Sequence, residues 1–359
     1  MSGTIVLSAG GTGGHLFPAQ ALAGELRRRG RKIVVMTDAR FANYATSFPG
    51  DRIETVSSAP LNSLAAPFKI AAGVFSALSK LMRLKPAAVI GFGGYPSVPV
   101  MLAAILARLP TAVIEQNAVV GRANRLVMNR VRRVAAAFPI ARFAPRDKTK
   151  IVLTGNPLRP DVIGHWGAPY EPPAADGPLH LLVFGGSQGA RAFSEIVPAA
   201  VTRLPQDLKR RLRIVQQCRP EDIENVRAIY EGAGVKAELQ TFFTDLPRRM
   251  AEAQLVIGRA GAGTVAELMA IGRPAILVPL PYALDDNQTP NAEILSRAGA
   301  GWTIAQRDLS PAALTQLLTT IFSDPADLSA RARAAHALAM PDAAKNLADM
   351  VEALSGGRP

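Results

Sequence analysis

The chain contains one cysteine, Cys218, in 359 residues, so it can form no internal disulfide and no cysteine-rich zinc site. Four histidines, His15, His165, His180 and His336, are scattered along it and make no cluster with metal-ligand spacing. Asp-x-Asp, a carboxylate pair that commonly holds a divalent cation against a nucleotide diphosphate, is absent. The longest apolar stretch, Val98 to Ala107, falls far short of the roughly 18 residues of a membrane span. The start, MSGTIVLSAGG, has no basic region before its apolar run and does not read as a secretory signal. At 48% hydrophobic and 19% charged, the composition excludes a disordered chain and a coiled coil. These absences lead us to expect a soluble or peripheral protein of a reducing compartment, with no metal site.

Acidic residues are missing where basic ones gather. Between Thr55 and Ile114 there is none, and residues 1–160 hold 22 Lys and Arg against 6 Asp and Glu. Residues 161–359 hold 19 against 22, so the whole net charge of +13 comes from the first part. Such a half is expected to face a polyanion: nucleic acid, an anionic membrane or a phosphorylated substrate. At about 150 residues per domain, the length predicts two domains.

Short β-branched runs alternate with helical patterns, the signature of parallel βαβ units. Strands are expected at Thr4 to Ala9, Lys32 to Thr37, Ala88 to Phe92, Thr111 to Ile114 and Val134 to Ala137. Leu179 to Phe184 restarts the pattern: it runs into GGSQG at Gly185 as Thr4 to Ala9 runs into GGTGG at Gly10. Further strands are expected at Leu255 to Gly258 and Ala275 to Leu280, with a helix from about Thr264 to Ile271 between them and a closing helix from Asp342 to Leu354. The Pro-rich stretch Pro157 to Pro178 reads as linker. The fold expected is α/β, with two similar Rossmann-type halves.

A glycine loop between strand and helix lets backbone amides and the helix N-terminus meet a phosphate, although a tight turn without ligand looks the same. Two such loops at equivalent points favour diphosphate binding. Neither satisfies GxGxxG, which disfavours a dinucleotide oxidoreductase. A third loop, Arg259-Ala260-Gly261-Ala262-Gly263-Thr264, precedes Glu267, whose carboxylate can accept from two vicinal ribose hydroxyls or can merely offset a helix dipole. His15 follows the first loop and can serve as general base or as a packing residue. From Leu61 to Met82, the residues Leu61, Leu64, Ala65, Phe68, Ala72, Phe75, Leu78 and Met82 keep helical spacing beside Lys69, Lys80, Arg83 and Lys85. Such a stretch either lies on an anionic bilayer or packs on a core. Basic stretches without interleaved aromatics argue against nucleic acid.

GGTGGH (Gly10 to His15), GFGGYPS (Gly91 to Ser97), EQN (Glu115 to Asn117), GNPLR (Gly155 to Arg159), GGSQGA (Gly185 to Ala190), RAGAGTVAE (Arg259 to Glu267) and DNQTPNA (Asp286 to Ala292) occur in an order that resembles the MurG family of glycosyltransferase family 28, from about residue 3 to residue 355. The resemblance implies a GT-B fold, two Rossmann-like domains with parallel sheets facing a central cleft. It implies domains at 1–160, with helix 342–359 packing back on it, and at 161–341. The implied reaction moves GlcNAc with inversion from UDP-GlcNAc to the C4 hydroxyl of the MurNAc group of lipid I, an undecaprenyl-diphosphate-linked MurNAc-pentapeptide. Lipid II and UDP are the products, no cofactor or metal takes part, and the place is the cytoplasmic face of the bacterial inner membrane.

Carried over residue by residue, His15 is the implied base. Thr12, Gly13, Gly14 and Asn117 lie near the sugar and acceptor diphosphate, Ser187 holds the donor diphosphate, and Arg159 lies near the donor. The backbone at Phe243 meets uracil, Ala262, Gly263 and Thr264 form the second donor loop, Glu267 takes the ribose and Gln288 the GlcNAc hydroxyls. Ala118 after EQN, where glycine is common, and Tyr282 to Leu284, where a histidine-containing stretch is common, depart from the family pattern. The rival readings are a UDP-sugar epimerase, a lipid glycosyltransferase with another acceptor, and a non-catalytic membrane- or nucleic-acid-binding module.

Overall fold

The computed structural model describes residues 3–10, 13–38, 48–58, 66–186 and 189–356. The chain divides into two compact units, one of residues 1–160 and 340–359, the other of residues 161–339. Among the described residues each holds one all-parallel sheet. In the first unit the order is β3-β2-β1-β4-β5-β6-β7, from β1 (Ile5–Ser8), β2 (Ile33–Thr37), β3 (Arg52–Thr55), β4 (Ala88–Gly91), β5 (Thr111–Glu115), β6 (Arg133–Ala136) and β7 (Ile151–Leu153). In the second it is β10-β9-β8-β11-β12-β13, from β8 (Leu179–Phe184), β9 (Leu212–Gln217), β10 (Lys236–Gln240), β11 (Leu255–Gly258), β12 (Ala275–Leu277) and β13 (Gly301–Thr303).

The apolar runs are strands because both sheet faces are covered. Ile5 and Leu7 point to one side, with Ile33, Val35 and Ile90, and pack under the helix Gly13–Arg28 through Leu22, Ala23 and Leu26. Val6 points to the other, with Val34, Met36 and Val89, under the helices Ala66–Leu84 and Ser97–Leu106. The closing helix Ala343–Gly356 joins the first of these layers through Leu347, Val351 and Leu354. At roughly 1.5–3 kcal/mol for each such side chain buried, that contact decides where the helix belongs. Arg29 and Arg31 of the first unit add ion pairs to Glu352, at 2.9 and 3.0 Å.

Several elements depart from the sequence expectation. β3, β7, β9, β10 and β13 were not foreseen; β3 (RIET) and β10 (KAELQ) are polar edge strands whose residues give no buried-strand signal. The helix after β11 begins at Ala262, two residues before the expected start, so Glu267 falls in its second turn. β12 ends at Leu277 and not at Leu280. Part of the Pro-rich linker is fastened down. The Arg273 guanidinium, 1% exposed, donates to the carbonyls of Ala168 and Pro169 at 3.2 and 2.9 Å, and the Tyr170 hydroxyl donates to the Gln254 carbonyl at 2.9 Å.

Candidate active site

In each sheet the chain turns away in opposite directions at one pair of central strands, β1 and β4 in the first unit and β8 and β11 in the second. Beyond the carboxyl ends of such a pair the loops diverge and open a crevice, the usual ligand position in open α/β sheets. The motif residues follow these strands.

In the first unit, β1 leads through Gly10 into the helix that starts at Gly13. A Cβ at Gly10 would come within 3.0 Å of Pro96 and 3.1 Å of Thr37 Oγ1, so only glycine lets the turn pass this close. Gly13 and Gly14 open the helix, whose first turn carries no acidic residue. Its N–H groups and positive dipole end are therefore not offset by a carboxylate of that turn. Thr12 lies outside the described residues.

His15 is the third residue of this helix, and its ring lies on the turn after β4. Gly93 and Gly94 both take left-handed backbone, φ +82 and +70°. A Cβ at Gly93 would meet His15 Cδ2 and Nε2 at 3.3 Å. GFGGYPS thus keeps two glycines where the backbone must curl and where an imidazole needs the space. The residue as a whole is half-buried, and burial pulls the ring's pKa from 6.5 down to about 4, so it is neutral at pH 7.

The turn after β5 is organised by Glu115, 2% exposed. Its Oε1 accepts from the backbone N and the Nδ2 of Asn117, at 3.1 and 3.4 Å. Its Oε2 accepts from Gly121 N at 2.8 Å and from Asn124 Nδ2 at 2.9 Å. Burial pushes the carboxyl above its ordinary range, while these donors pull the other way. Asn124 Nδ2 lies 3.4 Å from the position of a Gly93 Cβ, so one carboxylate ties Asn117 to the turn on which His15 rests. Along the sequence the only signal of this role is a charge, Glu115 of EQN, at the end of an apolar strand. Arg159 completes this side, its guanidinium carbon 4.7 Å from the centre of the Phe17 ring, one helical turn below the glycines.

In the second unit, β8 runs into Gly185 and Gly186, and the helix Arg191–Val201 follows. Ser187 lies outside the described residues. Gln217, at the end of β9, holds this loop: its Oε1 accepts from Gly185 N at 3.0 Å and its Nε2 donates to the carbonyls of Gly186 and Thr241, at 3.0 and 3.1 Å. After β11, Arg259 is 8% exposed and donates to the carbonyls of Val278 and Pro279 and to Gln306 Oε1, the last at 2.7 Å. Gly261 caps the helix that begins at Ala262, with Gly263, Thr264 and Glu267 on its first two turns. Because Glu267 stands in the second turn, offsetting the dipole at the helix start does not account for it. Phe243 is buried, with the Arg249 guanidinium carbon 4.7 Å from its ring centre. Gln288 starts the helix Gln288–Arg297, and Asn291, a polar residue with no chemical signal of its own in the sequence, is fully buried one turn on.

The stripe read between Leu61 and Met82 lies on the helix Ala66–Leu84, with residues 61–65 outside the described part. Its core-facing residues are Gly73, Ala77 and Leu81, with Leu78 partly buried beside them, so the core-packing alternative fails for most of the described part of the stripe: Phe68, Phe75 and Met82 are 80, 77 and 59% exposed. Lys80 is spent on Glu54, at 2.8 Å, while Lys69, Arg83 and Lys85 stand exposed. Among the described residues no helix is long and apolar enough to cross a membrane. The first unit, closing helix included, carries 24 Lys and Arg against 9 Asp and Glu; the second carries 17 against 19.

Comparison with known proteins agrees with this arrangement. The glycosyltransferase family 28 N-terminal domain matches residues 5–136 and the family 28 C-terminal domain matches residues 180–347. A UDP-N-acetylglucosamine--N-acetylmuramyl-(pentapeptide) pyrophosphoryl-undecaprenol N-acetylglucosamine transferase of Chelativorans sp. (strain BNC1) is 51% identical over 99% of this chain and 96% of its own length. The enzyme of the same name from Rhizobium meliloti (strain 1021) is 48% identical over the same shares. The crystal structure of Acinetobacter baumannii MurG superposes with a TM-score of 0.82 at 34% identity, covering 98% of this chain and 99% of that one. A UDP-GlcNAc 2-epimerase from Neisseria meningitidis reaches a TM-score of 0.67 at 15% identity over 99% of this chain and 100% of its own, a likeness of fold alone. The chain thus has the GT-B fold and belongs to glycosyltransferase family 28, among the UDP-N-acetylglucosamine--N-acetylmuramyl-(pentapeptide) pyrophosphoryl-undecaprenol N-acetylglucosamine transferases, the MurG family.

Proposed function

We propose that this enzyme transfers GlcNAc from UDP-GlcNAc to the C4 hydroxyl of the MurNAc group of lipid I, with inversion, in peptidoglycan synthesis. The observation that carries the mechanism is the neutral imidazole of His15 packed on the Gly93-Gly94 turn at the start of a helix. A neutral ring can take the hydroxyl proton as the C4 oxygen forms its bond to the anomeric carbon. The bond from that carbon to the diphosphate oxygen breaks, its electron pair leaves with UDP, and the proton passes from His15 to solvent. Charge on the departing diphosphate is met by amides of the loop after β8, Ser187 included, and by the N-terminus of the helix that follows.

On this reading the first unit takes the acceptor, with Thr12, Gly13, Gly14 and Asn117 toward the sugar and lipid diphosphate. The second takes the donor, with the backbone of Phe243 at uracil, Glu267 at the ribose, Ala262, Gly263 and Thr264 lining the loop and Gln288 at GlcNAc. Arg159 serves the donor from the GNPLR turn. Phe68, Phe75 and Met82, with Lys69, Arg83 and Lys85, rest on the anionic cytoplasmic face of the bacterial inner membrane, where an exposed apolar stripe with basic neighbours is stabilised.

Purified enzyme given UDP-GlcNAc and a lipid I analogue should release UDP in step with disaccharide formation, and should keep activity in EDTA. A changed sugar still attached to UDP would point to an epimerase. Binding to vesicles or oligonucleotides with no UDP release would point to a non-catalytic module.

A further inference from the structure

Both glycine loops of the second unit are held by side-chain amides, and the two amides are used differently. Gln217 is 5% exposed and wholly occupied: its oxygen takes Gly185 N–H and its nitrogen serves two carbonyls. At the second loop the work is divided. Gln288 Oε1 accepts from Ala260 N at 3.2 Å and from Leu280 N at 3.0 Å. Asn291 Nδ2, one turn along the same helix, donates to the Ala260 carbonyl at 3.1 Å. The peptide groups on either side of the Ala260 Cα are thus satisfied by the helix Gln288–Arg297 as a neighbouring strand would satisfy them. The orientation of the Gln288 amide is not arbitrary, since two N–H donors can only face its oxygen. Its Nε2 then points away from the loop, makes no hydrogen bond with a described residue and sits on a half-buried side chain.

We infer that Gln288 and Asn291 form a clamp that sets the Ala260 peptide and hence the N-terminus of the helix Ala262–Ile271. Gln288 meanwhile reads the ligand only as a donor, through Nε2. Asn291, fully buried, is a positioning residue and acts through the loop. The group that Gln288 recognises is a hydrogen-bond acceptor, a hydroxyl or carbonyl oxygen of the sugar. This last step rests on the donor reading above; the clamp does not.

Amide hydrogen exchange without ligand tests the clamp. In the wild type, Ala260 and Leu280 should be protected. Gln288→Glu keeps an oxygen for both N–H groups and should keep that protection, whereas Gln288→Ala should lose it at both sites by at least tenfold. Calorimetry with UDP and with UDP-GlcNAc tests the consequence. Asn291→Ala should weaken both ligands by a similar factor of ten or more, because the loop serves both. Gln288→Glu should weaken UDP-GlcNAc more than UDP, because only the sugar meets the lost donor. Equal exchange in Gln288→Glu and Gln288→Ala would overturn the clamp, and unchanged UDP affinity in Asn291→Ala would overturn its consequence for the donor. A Gln288→Glu variant that weakens both ligands alike would overturn the sugar contact. Wild type with protected amides but no affinity for UDP would leave the clamp standing and overturn the donor reading.

Discussion

His15 offers the sharpest quantitative test, because its neutrality is a matter of where the fold puts it. An imidazole free in the unfolded chain titrates near 6.5, while the folded one is held down to about 4 by burial. Between those values the unfolded chain binds a proton that the folded one does not, so stability is fully present above pH 6.5 and is lost as pH falls toward 4. At 1.36 kcal/mol per unit, the interval corresponds to about 3.4 kcal/mol, reduced to about 2–3 because His15 is only half-buried. Denaturant unfolding of wild type and His15→Gln at pH 7.5, 6.5, 5.5 and 4.5 isolates this contribution from other groups. Wild type should lose about 2 kcal/mol relative to the variant by pH 4.5. The ring protons should titrate near 4 by NMR, and His15→Gln should lose turnover far more than UDP-GlcNAc affinity. Parallel stability curves, or a midpoint near 6.5, would refute the desolvation argument, and unchanged turnover would remove His15 from the base role.

Three further outcomes follow from the geometry. Gly93→Ala must adopt φ +82° and place a methyl 3.3 Å from the His15 ring; it should cost about 1–2 kcal/mol in stability and lower kcat with little change in donor KM, read by unfolding and initial rates. Glu115→Gln puts an amide NH2 where N–H groups of Asn117, Gly121 or Asn124 already point, so unfolding should show a loss of roughly 1–3 kcal/mol and assays a raised acceptor KM with donor KM unchanged. Phe68→Ser with Phe75→Ser removes two aromatics that are 80 and 77% exposed; sedimentation with anionic vesicles should fall at least tenfold while thermal stability stays within about 0.5 kcal/mol. Vesicle binding that survives this double change would place the membrane contact elsewhere.

Much of the fold is legible along the chain because buried parallel strands need both faces apolar. IVLS, IVVMT, AVIG and LHLLVF carry that requirement in their composition, and the two glycine loops follow from it at matching places. Strands such as RIET and KAELQ escape because an edge position covers them less and asks less of their side chains. The Phe68, Phe75 and Met82 stripe shows the limit of periodicity. Helical spacing identifies a face, but the face that packs holds Gly73, Ala77 and Leu81, with Val74 and Leu78 partly buried beside them, and a Cβ at Gly73 would already collide with Ser57 O. At 3.6 residues per turn Phe68, Phe75 and Met82 fall on the side opposite Gly73, Ala77 and Leu81, so these larger residues face outward.

The family motifs, the glycine loops, the charge asymmetry and the identity of His15 as a residue of interest are properties of the sequence alone. They depend on residue type and order, which the chain states directly. The neutrality of His15, the anchoring of Asn117 by Glu115 and the division of labour between Gln288 and Asn291 belong to tertiary structure. Each arises from groups two to nearly eighty residues apart brought within hydrogen-bond or van der Waals reach, where burial changes what a carboxylate, an imidazole or an amide can do.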